Sequence, residues 1–190
     1  MNPSANLFLV GPTGAGKTTI GRRVAELLQL PFVDLDQAVE QRCGVSVALI
    51  FELEGEEGFR RRESALLQEC SQAKGLVLAT GAGAVLDADN RRLLRERGFV
   101  VWLQADVAQQ LARLERDRRR PLLAAADREQ RLQRMAEQRN PLYAEVADLA
   151  VQPENDAVVP AARELATRLQ HHWRRSAAPA AAQAGAEALS

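Results

Sequence analysis

The chain has 190 residues, 46% of them hydrophobic, and its 25 basic and 25 acidic side chains give a formal net charge of zero at pH 7. This length and composition predict one domain, residues 1–175, with a sizeable core. The balanced charge argues against a protein that coats nucleic acid. Residues 176–190 are rich in alanine, which occupies eight of the fifteen positions, and are expected to form a disordered tail.

The two cysteines, Cys43 and Cys70, fit no metal-ligand spacing. They are interpreted as small apolar residues of a protein in a reducing compartment. No apolar run approaches membrane-spanning length, and no secretory signal is visible. We therefore expect a cytoplasmic protein with neither a membrane nor a nucleic-acid partner. As a separate expectation, which these features do not determine, we take it to be a monomer.

The first predicted strand, residues 7–10, leads directly into the segment G-P-T-G-A-G-K-T at residues 11–18. This is a complete phosphate-binding loop, placed between a strand and a helix as the motif requires. Lys17 would reach the β- and γ-phosphates, and the Thr18 hydroxyl would face Mg²⁺. A plain glycine-rich turn would leave Lys17 without a role. The residues expected to bind ATP here are Gly14, Ala15, Gly16, Lys17, Thr18 and Thr19.

Short apolar runs and longer helical patterns then alternate, which predicts a parallel sheet covered by helices on both faces. The predicted strands are residues 7–10, 32–34, 75–79, 100–103 and 149–151. The predicted helices are residues 17–28, 36–43, 55–73, 88–97, 107–116, 128–138 and 157–174. The fold class is therefore α/β, in three layers. Trp102, in the fourth strand, is expected in the core.

Ligands of such sheets bind beyond the carboxyl ends of the strands, so the residues that follow each strand are candidates for chemistry. Asp34 and Asp36 follow the second strand and, being two apart in an extended segment, would face the same side. One could hold Mg²⁺ through water and the other could orient a substrate hydroxyl. Asp36 could equally cap the next helix. Residues 80–84, after the third strand, could present backbone N–H groups or form a plain tight turn.

Several arginines could form an acid-binding pocket. Arg60 lies near the start of a predicted helix, and Arg139 precedes the segment N-P-L-Y. Two guanidinium groups would bind a carboxylate strongly. A solvated arginine-rich surface is the alternative, and Arg61 and Arg62 also fit that interpretation.

The segment from Arg113 to Asp127 has a charged helix end, then Arg120-Pro121 and small residues. It suits a mobile lid that closes over ATP and brings a positive charge to the transferring phosphoryl group. A charged, solvated surface is again the alternative.

Together these features resemble the shikimate kinase family. The segments that carry the resemblance are G-P-T-G-A-G-K-T-T-I-G-R at 11–22, F-V-D-L-D at 32–36, F-E-L-E-G-E-E-G-F-R-R-R-E at 51–63, R-P-L-L at 120–123 and R-N-P-L-Y at 139–143. The resemblance implies ATP-dependent phosphorylation of the shikimate 3-hydroxyl group on the path to chorismate and the aromatic amino acids. It also implies a five-stranded parallel sheet of the nucleoside monophosphate kinase type, with a helical substrate-binding region and a lid.

The resemblance further implies roles for residues on the nucleotide side. Thr18 would be the direct Mg²⁺ ligand, and Asp34 would act on the ion through water. Arg120 would be the lid arginine that meets the phosphates, and Arg113 would pack against adenine. With Lys17, Arg120 would belong to the catalytic set.

On the substrate side, Asp36 would hold the shikimate hydroxyls and serve as the catalytic base. Arg60 and Arg139 would bind the carboxylate, and Glu63 would orient Arg60. The turn formed by Gly81, Ala82 and Gly83 would donate backbone hydrogen bonds to the same substrate.

The sequence departs from the family pattern in three places. The family turn usually has three glycines, whereas Ala82 stands in the middle here, and a positive φ at this position would weaken the substrate contact. Residues 151–158 do not align cleanly with the family's adenine loop, and the alanine-rich tail has no counterpart. Two alternatives stay open: a related small-molecule kinase such as a gluconate kinase, and a regulator that binds ATP without phosphoryl transfer.

Overall fold

The computed structural model of the protein describes residues 4–115, 127–153 and 157–173. Within these ranges the chain alternates between strands and helices. The elements are β1 (Asn6–Val10), α1 (Lys17–Leu28), β2 (Phe32–Asp34), α2 (Leu35–Cys43), α3 (Val47–Cys70), β3 (Val77–Ala79), a short 3-10 turn (Ala84–Leu86), α4 (Ala88–Arg97), β4 (Gly98–Leu103), α5 (Val107–Glu115), α6 (Arg128–Val146), β5 (Leu149–Val151) and α7 (Val158–His172).

The five strands form one parallel sheet in the order β2-β3-β1-β4-β5. The central strand β1 is buried along its whole length. Its side chains alternate between the two faces, with Leu7 and Leu9 in one core and Phe8 and Val10 in the other. Parallel strands covered on both faces consist of nearly continuous apolar runs, and after Asn6 the remaining four residues of β1 are all apolar. The predicted α/β class is confirmed.

Helices cover both faces of the sheet. On one face α1 and α7 bury residues such as Val24 and Leu165. On the other, α2, α3, α4 and α6 enclose the larger core, which includes Leu67 and Tyr143. Trp102 is packed against this larger core, as expected, with its ring centroid 5.8 Å from that of Tyr143. Within the described residues, no helix is both long and apolar enough to cross a membrane.

The helix that contains Arg60 differs from its prediction. It was expected over 55–73, but α3 begins at Val47, where the Ser46 hydroxyl accepts a hydrogen bond of 3.3 Å from the backbone N–H of Leu49. Such capping by serine starts a helix. Gly55 (φ 70°, ψ −176°) lies inside α3 in a conformation open essentially only to glycine, so it divides the helix into two segments. The prediction took this break for the helix start.

Helix α6 also exceeds its prediction, which ended it at residue 138, before Asn140 and Pro141. The helix continues to Val146 with Pro141 inside it. Proline removes one backbone hydrogen bond, to the carbonyl of Glu137, but both residues are exposed and water can satisfy that carbonyl. Burial of Tyr143 and Val146 then favours continuation.

The remaining predicted elements agree with the structure to within two residues at each end. The expected disordered tail, residues 176–190, lies outside the described residues, as does most of the expected lid.

Asn6 joins the amino end of β1 to the segment before β3. Its Nδ2 donates to the carbonyl oxygen of Ala73 at 2.8 Å, and its Oδ1 accepts from the backbone N–H of Gly75 at 2.8 Å and of Leu76 at 3.3 Å. The side chain is only 3% exposed. These bonds satisfy backbone groups that neither β-strand pairs, so they hold the β1–β3 register at its start.

We expect Asn6→Ala to lower the free energy of unfolding by about 2–4 kcal/mol, because it leaves several buried backbone groups without partners. Urea denaturation followed by circular dichroism measures this loss. Gln72→Ala, which truncates an exposed amide in the same segment, is the control and should stay within about 0.5 kcal/mol of the parent protein. Equal stability of the two variants would show that the Asn6 bonds are dispensable.

Candidate active site

The phosphate-binding loop connects β1 to α1. Gly14 (φ 79°) and Gly16 (φ 89°) adopt left-handed conformations, which allow the chain to turn into the helix. Lys17 is 9% exposed, and its Nζ donates to the carbonyl oxygens of Gly11 at 2.8 Å and Pro12 at 2.9 Å. The lysine therefore places its positive charge against the loop at the amino end of α1, which is itself favourable for anions.

Thr18 and Asp34 meet across the ends of α1 and β2. The Thr18 hydroxyl donates to Asp34 Oδ2 at 2.5 Å, while Asp34 Oδ1 accepts from the backbone N–H of Gln37 at 3.2 Å. Asp34 is thus the residue that caps α2. Thr19 is exposed, and its hydroxyl donates to the Gly16 carbonyl oxygen at 3.2 Å.

Two interpretations of Asp36 were wrong. It does not cap the helix, since Asp34 does so, and it does not lie in an extended segment, since it occupies the first turn of α2. Its carboxylate nevertheless reaches the turn after β3. A Cβ atom added to Gly81 would lie 2.9 Å from Asp36 Oδ1 and would overlap Glu63 Oε1.

Arg60 projects from the second segment of α3 toward the same turn. Its Nη1 lies 2.6 Å from Glu63 Oε2 and its Nη2 lies 3.1 Å from Glu56 Oε1, and the guanidinium carbon lies 5.2 Å from the centroid of the Phe59 ring. Burial works to lower the pKa of Arg60, but the two ion pairs outweigh it and raise the pKa. A Cβ atom added to Gly83 would overlap this guanidinium, so the arginine packs directly against the turn backbone.

Glu63 is completely buried. One carboxylate oxygen binds Arg60, whereas Oε1 has no hydrogen-bond partner among the described residues. Burial raises its pKa, and the positive charge of Arg60 opposes the rise; Asp36 and Lys17 also act on this carboxyl group. The ion pair fixes the position of the Arg60 side chain, as the family resemblance implied for Glu63.

By contrast, Arg61 and Arg62 belong to the surface. Each forms an exposed ion pair, Arg61 with Glu57 at 2.7 Å and Arg62 with Glu54 at 2.6 Å. Their sequence interpretation as surface residues is confirmed.

The turn at residues 81–83 leaves its backbone donors available. Within the described part of the chain, Gln29 is the only residue other than glycine with a positive φ, so Ala82 fits the turn without strain. The Ala82 carbonyl oxygen accepts a hydrogen bond of 2.6 Å from the Tyr143 hydroxyl. No described group accepts from the N–H groups of Gly81, Ala82 or Gly83.

Arg139 comes from α6 and is 9% exposed. Its Nε has no hydrogen-bond partner, and no carboxylate of the described residues forms an ion pair with it. It lines a small cavity between α6 and the phosphate-binding loop, together with Pro12, Thr13 and Gln110. A buried guanidinium without a partner anion is suited to binding one.

The nucleotide side is described in part. Arg113, in α5, donates from Nη1 to the carbonyl oxygen of Gly14 at 3.0 Å, which places it against the phosphate-binding loop. The expected lid arginine, Arg120, lies outside the described residues, and so does most of the segment 113–127. Within the described ranges, no group of three or more acidic, cysteine or histidine side chains could enclose a metal ion.

Sequence analysis assigned no role to Tyr143 or to Glu56. Tyr143 closes the R-N-P-L-Y segment, one helical turn after Arg139, and its spacing from that arginine was the available signal. Glu56 stands four residues before Arg60, the helical spacing of an ion pair, and could have been found in the same way.

Comparison with known proteins agrees with this geometry. A family model described as shikimate kinase matches residues 13–172. The shikimate kinase of Bordetella pertussis is 52% identical over 169 residues, which cover 89% of this chain and 80% of that protein. The shikimate kinase of Stenotrophomonas maltophilia is 50% identical over 175 residues, covering 92% and 97% of the two chains.

A solved structure, shikimate kinase from Acinetobacter baumannii in complex with shikimate, superposes with a TM-score of 0.85 at 44% identity, covering 90% of this chain and 95% of that one. The expected P-loop architecture is confirmed by this likeness. The family resemblance drawn from the motifs is confirmed as well, and it identifies an enzyme that uses ATP as a co-substrate. The chain belongs to the shikimate kinase family.

Proposed function

We propose that this protein transfers the γ-phosphoryl group of ATP to the 3-hydroxyl group of shikimate, using the side chains that surround the turn at residues 81–83. One observation carries the proposal. Asp36 from α2, Arg60 from α3 and, through Tyr143, the helix that bears Arg139 all reach this turn, beside the phosphate-binding loop. The arrangement provides positive charge for an acid and a carboxylate for a hydroxyl group within one small region.

The substrate carboxylate would bind between Arg60 and Arg139. Arg60 is held in place by Glu63 and Glu56, so little side-chain freedom is lost when it binds an anion. Arg139 has no described anionic partner, and a substrate carboxylate would supply one. Guanidinium groups bind carboxylates through paired hydrogen bonds. The backbone N–H groups of Gly81, Ala82 and Gly83 would add further donors.

Asp36 would orient the attacking hydroxyl group. Its carboxylate lies at the turn, on the side of the sheet edge from which the phosphate-binding loop also emerges. The hydroxyl proton would pass to a carboxylate oxygen of Asp36 as the new oxygen–phosphorus bond forms and the bond to the ADP oxygen breaks. The chemistry depends chiefly on holding the two reactants in line.

The nucleotide phosphates would lie on the backbone of residues 14–19, with Lys17 exchanging its carbonyl partners for phosphate oxygens. Thr18 and Asp34 fit Mg²⁺, because their hydroxyl and carboxylate oxygens lie side by side and oxygen atoms are the hard ligands that this ion prefers. When bound, the ion would neutralise phosphate charge during transfer. We propose that Arg120 adds a positive charge from the lid and that Arg113 contacts the adenine, as the sequence resemblance implies.

All the groups invoked come from one chain, so we propose that the protein acts as a monomer. A coupled assay of ADP release with Mg-ATP and shikimate tests the function, with gluconate and with no acceptor as controls. Shikimate-dependent ADP formation supports the proposal. Activity with gluconate in place of shikimate, or ATP binding without turnover, would contradict it.

Asp36→Asn should lower kcat by about 10²–10⁴-fold, because the amide cannot take the proton from the hydroxyl group. Its affinity for ATP, measured by calorimetric titration, should stay close to that of the parent protein. Asp89→Asn, on the exposed surface of α4, is the matched control and should leave kcat unchanged. Lost ATP affinity in the Asp36 variant would instead assign this carboxylate to the nucleotide site.

Gly83→Ala should raise the KM for shikimate about tenfold or more, because the added Cβ displaces the Arg60 guanidinium and misplaced binding groups lose most of their effect. The KM for ATP should change little. Ala82→Gly provides the contrast: position 82 does not use a positive φ, so its steady-state constants should stay within about twofold of the parent values. An improved KM in Ala82→Gly would show that alanine restricts the turn.

A further inference from the structure

Tyr143 is completely buried in the larger core, yet it carries a polar group there. A phenylalanine ring would pack against Trp102 in the same way, so packing alone does not require the hydroxyl group. A buried hydroxyl group costs free energy unless it is hydrogen-bonded, and this one donates to the Ala82 carbonyl oxygen at 2.6 Å. The bond joins α6 to the turn after β3, across 61 positions of the chain.

Arg139, one helical turn earlier on α6, lines the same small cavity as Tyr143. Burial raises the pKa of Tyr143 well above its ordinary value, and the positive charge and N–H groups of Arg139 oppose that rise. The tyrosine therefore stays protonated and remains a donor. Because its one O–H bond is directed at Ala82, the oxygen lone pairs can still accept a hydrogen bond from a nearby donor such as a guanidinium group.

The bond to Ala82 also fixes a second group. The Ala82 carbonyl and the Gly83 N–H belong to one planar peptide unit, and no described peptide bond is cis. In a trans peptide the two groups point in opposite directions, so a partner that holds the oxygen also sets the direction of the N–H group. One hydroxyl group thus sets the direction of a backbone donor on the wall of the cavity that Arg139 also lines.

We propose that Tyr143 is a positioning residue for the acid substrate: its hydroxyl group holds Arg139 and the 82–83 peptide in the relative orientation that receives the substrate carboxylate. This inference rests on the proposed function, which assigns both groups to shikimate. Tyr143 itself need not touch the substrate. Its effect should therefore fall on shikimate binding and leave the nucleotide site alone.

The test is Tyr143→Phe, which removes the oxygen atom and keeps the ring. We expect the dissociation constant and the KM for shikimate to rise about tenfold, the scale of one hydrogen bond that involves a charged group. The KM for ATP should change by less than about twofold, since the phosphate-binding loop is not displaced. Calorimetric titration with shikimate and steady-state assays measure the two effects.

Ser4→Ala is the matched control. The Ser4 hydroxyl group also donates to a backbone carbonyl, that of Arg97 at 2.9 Å, but at the opposite end of the sheet. It should lower the unfolding midpoint without changing shikimate binding. If Tyr143→Phe likewise changes only the unfolding midpoint, the hydroxyl group is purely structural and the proposal is wrong.

A double-mutant cycle with Arg139→Met tests whether the tyrosine acts through the arginine. The loss of shikimate affinity caused by Tyr143→Phe should be clearly smaller when Arg139 is already replaced, because coupled residues are not additive. Full additivity would overturn the coupling. These outcomes are distinct from failure of the proposed function, which would appear as an unaltered protein that neither binds nor phosphorylates shikimate.

Discussion

The buried ion pair between Arg60 and Glu63 is the interaction around which the site is organised. A fully buried carboxylate is stable only beside a positive charge, and α3 provides one three residues earlier. The pair then needs space against the turn after β3, which exists only because Gly81 and Gly83 have no side chains. Charge pairing and the small turn therefore depend on each other, and neither could be changed alone.

The sheet accounts for the meeting of groups that are distant in sequence. The carboxyl ends of parallel strands lie at one edge of the sheet, so the loops after β1, β2 and β3 are neighbours although they are far apart in the sequence. Helices on the larger-core side then add Arg60 and Arg139 from above that edge. The nucleotide loop is mainly backbone, whereas the proposed acid site is mainly side chains; Asp34, the last residue of β2, is proposed to serve the first and Asp36, in the first turn of α2, the second.

Features encoded locally were predictable, and those created by long-range contacts were not. The phosphate-binding loop, α1 and the apolar strands follow from short patterns, and their bounds were nearly right. Helix α6 continues beyond Pro141 because core residues distant in sequence bury Tyr143, and this burial cannot be predicted from the local sequence. Likewise the break at Gly55 was taken for a helix start, because a glycine can stand either at the end of a helix or at a break inside one. The bond from Tyr143 to Ala82 has no pattern in sequence at all.

The break at Gly55 gives the two segments of α3 different directions. Residues 47–54 form one segment of α3, in which Phe51 packs on Phe59 with ring centroids 4.8 Å apart, and the segment that bears Arg60 follows in another direction. In a continuous helix, any rotation of the first part would turn the arginine by the same angle. Because the glycine breaks the helix, the direction of the first segment does not dictate that of the segment bearing Arg60, and the Phe51–Phe59 contact sets the angle between them.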